Sequence, residues 1–530
     1  MRAILIHCYH RGVRDKDTPN VPRVDPDLIP YLLAADSTPV TDADEPDETP
    51  TETQMRDIHG QALSDAQLDL LDDRQAAVRP SSTLRIPTVS DPEAKAIYSD
   101  LLSRRAEHQI EPSLEHVKGV LDYLGDPQKL FHSIHVTGTN GKTSIAAMIT
   151  ALTTELGYRT GRFTSPHLSD VRERISVDGE PISIENFIAA YRDIEAQLQM
   201  WESSHQHQLS FFEVLTVMAY AFFADVPVNL AVVEVGMGGR WDATNTIDAD
   251  TAVLGPISLE HEQWLGKGLR NIATEKSGII KQGANVVCAS QPDAALEVIT
   301  AAAEAQDAVL RLAGRDFEVL KRSPAVGGQV ITVRTPAAVY EDIFMPLYGE
   351  FQAENAAVAL TAVESQLGGT ALDALAVQRA FEHVSSPGRL EVLHSSPMIV
   401  VDAGHNPGAV NALIQALEQD FRWEHTVGIY AAMADKAIET VLGIVEPVLD
   451  EIIVTQMPGE RAASLDELQR IALDVFGEGR VWAESDLNDA IAKAGELDDL
   501  QDAPPGASGV IVFGSVVLAG MARDALGGGN

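Results

Sequence analysis

The sequence predicts an α/β protein: an N-terminal P-loop ATPase-like domain with a mostly parallel sheet, then a C-terminal Rossmann-like α/β domain. Three observations predict it. Residues 133–137 read as a short strand running into a glycine-bearing loop and a helix. Residues 229–235, Asn-Leu-Ala-Val-Val-Glu-Val, form a run rich in β-branched residues, as expected of a parallel strand buried on both faces. Past Pro387, apolar runs and amphipathic stretches alternate as in successive βαβ units.

The elements follow in chain order. Residues 1–91 read as an acidic, mostly disordered extension, with a short helix near 63–71, because Thr41-Asp-Ala-Asp-Glu-Pro-Asp-Glu-Thr-Pro50 and its surroundings carry too little apolar residue to offset ordering entropy. A wrongly assigned start codon explains the same segment equally well. The first domain spans 92–386. Helical spacing covers 94–104 and 113–124, the strand 133–137, a tight loop 138–141, and a helix 142–156 with Ile145, Met148, Ile149 and Leu152 on one face, ending at Gly157. After the 229–235 strand comes another at 251–254, followed by Glu260-His261-Glu262. A hinge is expected at 385–389, Ser-Ser-Pro-Gly-Arg. The second domain, 387–526, is expected to hold strands at 398–401, 426–430, 451–455 and 510–513, with helices at 409–419, 438–448 and 465–475.

Composition narrows the function. The 530 residues carry a formal charge of −39, which repels phosphate backbones and anionic headgroups, so no nucleic-acid or membrane partner is expected. Cys8 and Cys288 stand too far apart in sequence for a disulfide framework or metal-ligand spacing. So few cysteines suit a reducing cytoplasm, no export or membrane-spanning segment is read in the sequence, and a monomer is expected.

Chemistry concentrates in Thr137-Gly-Thr-Asn-Gly-Lys-Thr-Ser144. Gly138, Thr139, Asn140, Gly141, Lys142, Thr143 and Ser144 make a compact phosphate-binding loop, although Val136 stands where the longer pattern has its first Gly. Such a loop aims backbone N–H groups and a helix dipole at phosphate, with Lys142 for the β/γ-phosphates and Thr143 for Mg²⁺. Glu234 ends a strand, where it can hold a metal or pair with Arg240. Three features are discounted: His205 and His207, expected in a polar loop without ligand partners; Gly236-Met-Gly-Gly, which lacks the third glycine of a dinucleotide fingerprint; and the glycine-rich tail.

Further stretches carry a resemblance. Phe163-Thr-Ser-Pro-His-Leu168, Ser210-Phe-Phe-Glu213, Glu234-Val-Gly-Met-Gly-Gly-Arg-Trp-Asp-Ala-Thr-Asn245, Glu275-Lys-Ser-Gly-Ile-Ile-Lys281, Gln352-Ala-Glu-Asn-Ala-Ala357, Pro387-Gly-Arg-Leu-Glu391 and Asp402-Ala-Gly-His-Asn-Pro407 occur in order. Together with the loop they resemble the Mur ligase superfamily, and within it the folylpolyglutamate synthase/dihydrofolate synthase branch. Two departures are visible: Glu260 precedes His261 where Asp is commoner, and Ala403-Gly404 reverses the usual Gly-Ala.

The resemblance implies an ATP-dependent ligase that joins L-glutamate to the carboxylate of dihydropteroate or reduced folates through an acyl phosphate. It implies two Mg²⁺ ions, with Ser165, Glu234 and His261 as ligands, and a Lys276 carbamylated by CO₂. It implies that Asn355 contacts adenine, Asp402 the ribose, and Arg389 and His405 the phosphates. Ser210, Phe212, Asp242 and Ala243 match dihydropteroate-binding positions. Lys142, Lys276, His261, Arg389 and His405 form the expected catalytic set. Alternatives for single residues stay open: a turn cap for Ser165, a surface histidine for His261, a helix-surface ion pair for Lys276, an Asp402–Arg389 interdomain pair, and core packing for Phe211 and Phe212. Two other functions remain: a peptidoglycan-precursor ligase of the same superfamily, or a P-loop nucleotide-dependent switch without turnover.

Overall fold

The computed structural model describes residues 91–106, 111–499 and 507–527; the expected helix near 63–71 and the acidic extension lie outside them. The described chain begins at a helix N-cap. The Asp91 carboxylate accepts from the amides of Glu93 and Ala94 and starts the helix Pro92–Ser103.

The first sheet has eight strands: β1 (His132–Thr137), β2 (Thr160–Phe163), β3 (Ile175–Val177), β4 (Glu180–Pro181), β5 (Leu230–Glu234), β6 (Thr251–Leu254), β7 (Asn285–Cys288) and β8 (Val309–Leu312). Their order is β4-β3-β2-β5-β1-β6-β7-β8, with antiparallel pairing confined to the β2-β3-β4 edge. The strand at 229–235 is Leu230–Glu234, and every residue in it is buried. Its neighbour β1 pairs Val136 with Glu234, while β6 pairs Leu254 with Thr137. The carboxyl ends of β5, β1 and β6 therefore lie level, on the edge where open α/β sheets bind ligands.

Apolar helices cover this sheet. Lys142–Glu155 buries Ile145, Met148, Ile149 and Leu152 as its spacing predicts, with Gly157 two residues beyond its end at φ +86°. The amphipathic helix Ile184–His205 buries Phe187, Tyr191, Ile194, Leu198 and Trp201 against Phe211–Asp225.

Three antiparallel strands, β9 (Glu318–Ala325), β10 (Gly328–Arg334) and β11 (Val339–Met345), form a separate small sheet between the two larger ones in sequence. The second large sheet comprises β12 (Glu391–Ser395), β13 (Met398–Asp402), β14 (His425–Tyr430), β15 (Glu451–Thr455), β16 (Val481–Glu484) and β17 (Ser508–Phe513), ordered β12-β13-β17-β14-β15-β16. Only β12 is antiparallel to its neighbour. The expected strands and helices of this region are present, the helices as Pro407–Asp420, Ile438–Val445 and Leu465–Phe476. The expected helix at 438–448 stops three residues early.

Candidate active site

The phosphate loop sits at the carboxyl end of β1. Gly141 has φ +80°, and a Cβ there would lie 2.7 Å from Asn355 Oδ1, so glycine meets both the backbone and the packing demand. Asn355 is buried behind the loop and donates to Gln352 Oε1, while Gln352 donates to the Ser144 hydroxyl. The amides of Thr139 and Asn140 donate to Pro256 O, and the Thr139 hydroxyl donates to Ser258 O, tying the loop to the segment after β6. Lys142 Nζ donates back to the carbonyls of Gly138 and Thr139.

Glu234 is buried at the end of β5. Thr143 Oγ1 donates to Glu234 Oε1 at 3.0 Å, and the Thr164 hydroxyl donates to Oε2. Glu234 thus pairs with Thr143 and Thr164 rather than with Arg240, which is exposed. Ser165, next to Thr164, is buried. A carboxylate and a hydroxyl already 3.0 Å apart beside a phosphate loop form an oxygen set that suits a hard divalent cation.

Lys276 lies inside the fold rather than on a helix surface. Its Nζ donates to Gly138 O at 2.7 Å, directly under the loop. Burial first, and then the Lys142 charge, push its pKa down to about 7.

His261 follows Glu260, and the two carry Nε2 and Oε1 3.5 Å apart. The same Glu260 oxygen is 3.6 Å from His405 Nε2, on the loop after β13. Burial pushes the Glu260 carboxyl up, but the His405 contact and the Lys142 charge outweigh it and hold the group below its ordinary range. Burial, chiefly, lowers His261 to about 4. The sequence flags Glu260 only as a departure from the common Asp; its contact with His405 depends on the two sheets meeting.

From the second sheet, Asp402 ends β13 and accepts from the Gly404 and Leu390 amides. Burial raises its pKa, and the Arg389 charge opposes this. Arg389 donates to Gly388 O. Both residues belong to the second α/β part, so their attraction is not an interdomain pair. Asn406 Nδ2 donates to Asn140 Oδ1 at 3.0 Å, which does join that part to the phosphate loop.

The four dihydropteroate-matching positions divide. Ser210 and Asp242 spend their side chains on local capping: the Ser210 hydroxyl accepts from Glu213 N, and Asp242 accepts from the Thr244 and Met237 amides. Burial raises Asp242 to about 6 despite these bonds. Ala243 is buried in the turn that Asp242 caps. Phe211 packs in the core with the Arg174 guanidinium over its ring, whereas Phe212 is partly exposed, beside Phe163 and Gly236. Of the two adjacent aromatics, Phe212 is the less buried.

His205 and His207 correct an expectation. His205 stacks on Trp201 at 4.3 Å and His207 on His116 at 3.7 Å, so neither sits in a partnerless loop.

A phosphate loop at a sheet switch point, faced by charged groups from a second α/β sheet, defines an ATP-dependent ligase of the Mur type. Residues 136–363 match the Mur ligase middle domain, and residues 388–516 the Mur ligase glutamate ligase domain. The chain is 42% identical to the dihydrofolate synthase/folylpolyglutamate synthase of Mycobacterium tuberculosis, over 84% of this chain and 97% of that one. It is 34% identical to the folylpolyglutamate synthase of Lacticaseibacillus casei, over 78% and 94%. The solved Mycobacterium tuberculosis folylpolyglutamate synthase complexed with ADP and AMPPCP superimposes with a TM-score of 0.78 at 44% identity, covering 82% of this chain and 98% of that chain. The chain belongs to the folylpolyglutamate synthase/dihydrofolate synthase family.

Proposed function

We propose that this enzyme ligates L-glutamate to the carboxylate of dihydropteroate and of reduced folates, consuming ATP and giving ADP and phosphate. The observation that carries the reading is the convergence of Lys142, Glu234, Lys276, Glu260 and His405 around one phosphate loop.

The substrate carboxylate attacks the γ-phosphorus in line, forming an acyl phosphate and releasing ADP. Lys142 leaves its loop carbonyls to meet the β/γ-phosphates, and Arg389 and His405 meet them from the other side. The glutamate amine then attacks the acyl carbon, and phosphate departs from the tetrahedral intermediate. Asn355 and Asp402 hold adenine and ribose. Thr143, Ser165, Glu234 and His261 are the groups that would hold Mg²⁺, whose charge would neutralise the phosphates. Closure of the two parts, latched by Asn406 on Asn140, keeps water from the acyl phosphate.

Lys276 supports a carbamate. A lysine held near 7 has a substantial neutral fraction, and the neutral amine adds to CO₂ with loss of a proton, turning a buried cation into an anion for a second Mg²⁺. Phe212 offers the flat face a pterin needs. The boundaries 92–386 and 387–526, a monomeric state and a cytoplasmic location complete the proposal; among the described residues no helix is long and apolar enough to cross a membrane.

A substrate panel with purified protein tests it. ADP release should require glutamate together with dihydropteroate or tetrahydrofolate. Release driven by sugar-nucleotide peptides, or indifferent to all acceptors, would overturn the assignment.

A further inference from the structure

Three side chains from two segments of the first domain converge. Glu111 precedes the helix Glu115–Tyr123, His116 lies in its first turn, and His207 follows the end of Ile184–His205. Each offers one ligand atom, and these atoms all lie within 4.8 Å of one another. His207 Nε2 is 3.8 Å from Glu111 Oε2. His116 Nδ1 and His207 Nε2 are both buried from solvent, and neither has a hydrogen-bond partner. Two orphaned imidazole nitrogens beside a carboxylate are an unmet demand, since buried polar atoms ordinarily find partners.

We propose that Glu111, His116 and His207 form a binding site for a divalent transition metal of the zinc class. Two imidazoles and one carboxylate are a recognised zinc set that leaves a fourth position for water. Such nitrogen ligands favour zinc over magnesium, which prefers oxygen. The two rings now stack 3.7 Å apart, and an ion between them requires the rings to splay so that both nitrogens face it. Trp201 is 4% exposed, lies 5.7 Å from the His116 ring and 6.3 Å from that of His207, and stacks on His205. Gly119 allows this, because a Cβ there would stand 2.2 Å from the Trp201 indole nitrogen.

The site also has a route to the proposed folate position. Arg105 pairs with Glu111 through one guanidinium nitrogen and with Glu213 through another, and Glu213 completes the cap on Ser210. A metal taking Glu111 would weaken its hold on Arg105 and leave that cation to Glu213. The metal site itself does not depend on the folate assignment.

Equilibrium dialysis of the full-length protein against Zn²⁺, with excess Mg²⁺ present to occupy oxygen sites, tests the proposal. Wild type should bind about one zinc ion per chain more tightly than His207→Gln or Glu111→Gln, by ~10-fold or more as for loss of a metal-fixing group. Co²⁺ in place of Zn²⁺ should give wild type the visible bands of a tetrahedral ion that His207→Gln lacks. Because Glu111 is exposed, Glu111→Gln keeps the fold and guards against a histidine variant that does not. No zinc uptake by wild type, or equal uptake by wild type and both variants, overturns the site.

Discussion

Lys276 Nζ donates to the carbonyl oxygen of Gly138 at 2.7 Å, so a buried ammonium holds up the first glycine of the phosphate loop. The arrangement joins two roles in one side chain. As an amine it fixes loop geometry; as a carbamate it would have to release that carbonyl and turn toward a cation.

Stability should therefore depend on pH at this residue. The folded pKa is lowered to about 7 while the unfolded lysine titrates at ~10.4, so between these values the unfolded chain holds a proton that the native state lacks. Stability from this group rises with pH across that window. The penalty for burying the charge is fully present below about pH 7. Lys276→Met should accordingly stabilise the protein more at about pH 6 than at about pH 10, in urea titrations of both proteins. A pH-independent difference would mean that Lys276 is not buried as a neutral amine.

Activity tests the carbamate separately. Lys276→Ala should lower turnover by at least ~10²-fold, the size expected for a lost electrostatic stabiliser, and added formate or acetate should restore part of it. A ¹³C spectrum of active, nucleotide-bound enzyme supplied with labelled CO₂ should show the carbamate carbon; a free ammonium would remove the idea.

Lys142 has a simpler expectation. Its ammonium now rests on the Gly138 and Thr139 carbonyls and is free to move to phosphate. Lys142→Ala should lose at least ~10²-fold in turnover with an unchanged melting temperature. Near-normal turnover would exclude this loop from catalysis.

Glu260 bridges histidines from two segments, within 3.5 Å of His261 and 3.6 Å of His405. Its pKa is lowered in the fold, so its contribution is present above the unfolded value near 4.5 and is lost as the pH falls below it. Glu260→Gln should destabilise closure and reduce kcat by ~10-fold or more, since bonds to charged groups contribute about 1.5–3 kcal/mol. Glu260→Asp should retain most activity. Equal damage from both would show that side-chain length matters as much as charge here.

Three stability predictions concern the N-terminal half. Gly119→Ala drives a methyl into Trp201 and should cost about 1–3 kcal/mol by overpacking, beyond any gain in helix propensity. A chain starting at Asp91 should keep its melting temperature and catalytic constants, because the acidic segment offers little apolar surface and Asp91 itself is retained as the N-cap. Asp91→Ala in that chain should cost about 1 kcal/mol.

Much of the fold is legible where local pattern and global position agree. β5 and β6 are nearly continuous apolar runs because they are buried on both faces, β1 (His-Ser-Ile-His-Val-Thr) is legible through the glycine loop that follows it, and the helix after that loop carries its core residues at helical spacing. The antiparallel sheet β9–β11 is harder to read, since Glu318–Ala325 is only partly buried and interleaves Lys321, Arg322 and Pro324 with its apolar positions. β16 is half-buried throughout and lies at a sheet edge, which leaves it without alternation. At the site, Lys142 and Glu234 stand out through their motif and strand. The Glu260–His405 contact and the His116–His207 stack are invisible in sequence because each joins residues that only the tertiary fold brings together.

The bond from Asn406 to Asn140 spans 266 positions of chain. During synthesis at ~5–20 residues per second, Asn140 and its loop would leave the ribosome tens of seconds before their latch exists. β1 cannot even acquire both sheet neighbours until residue 254 has emerged, because β5 and β6 flank it. A nascent chain therefore carries a half-built nucleotide cradle open to solvent, and ATP bound there would be free to leave. The contact that ties the second sheet's loop to the phosphate loop therefore forms only after residue 406 has been made.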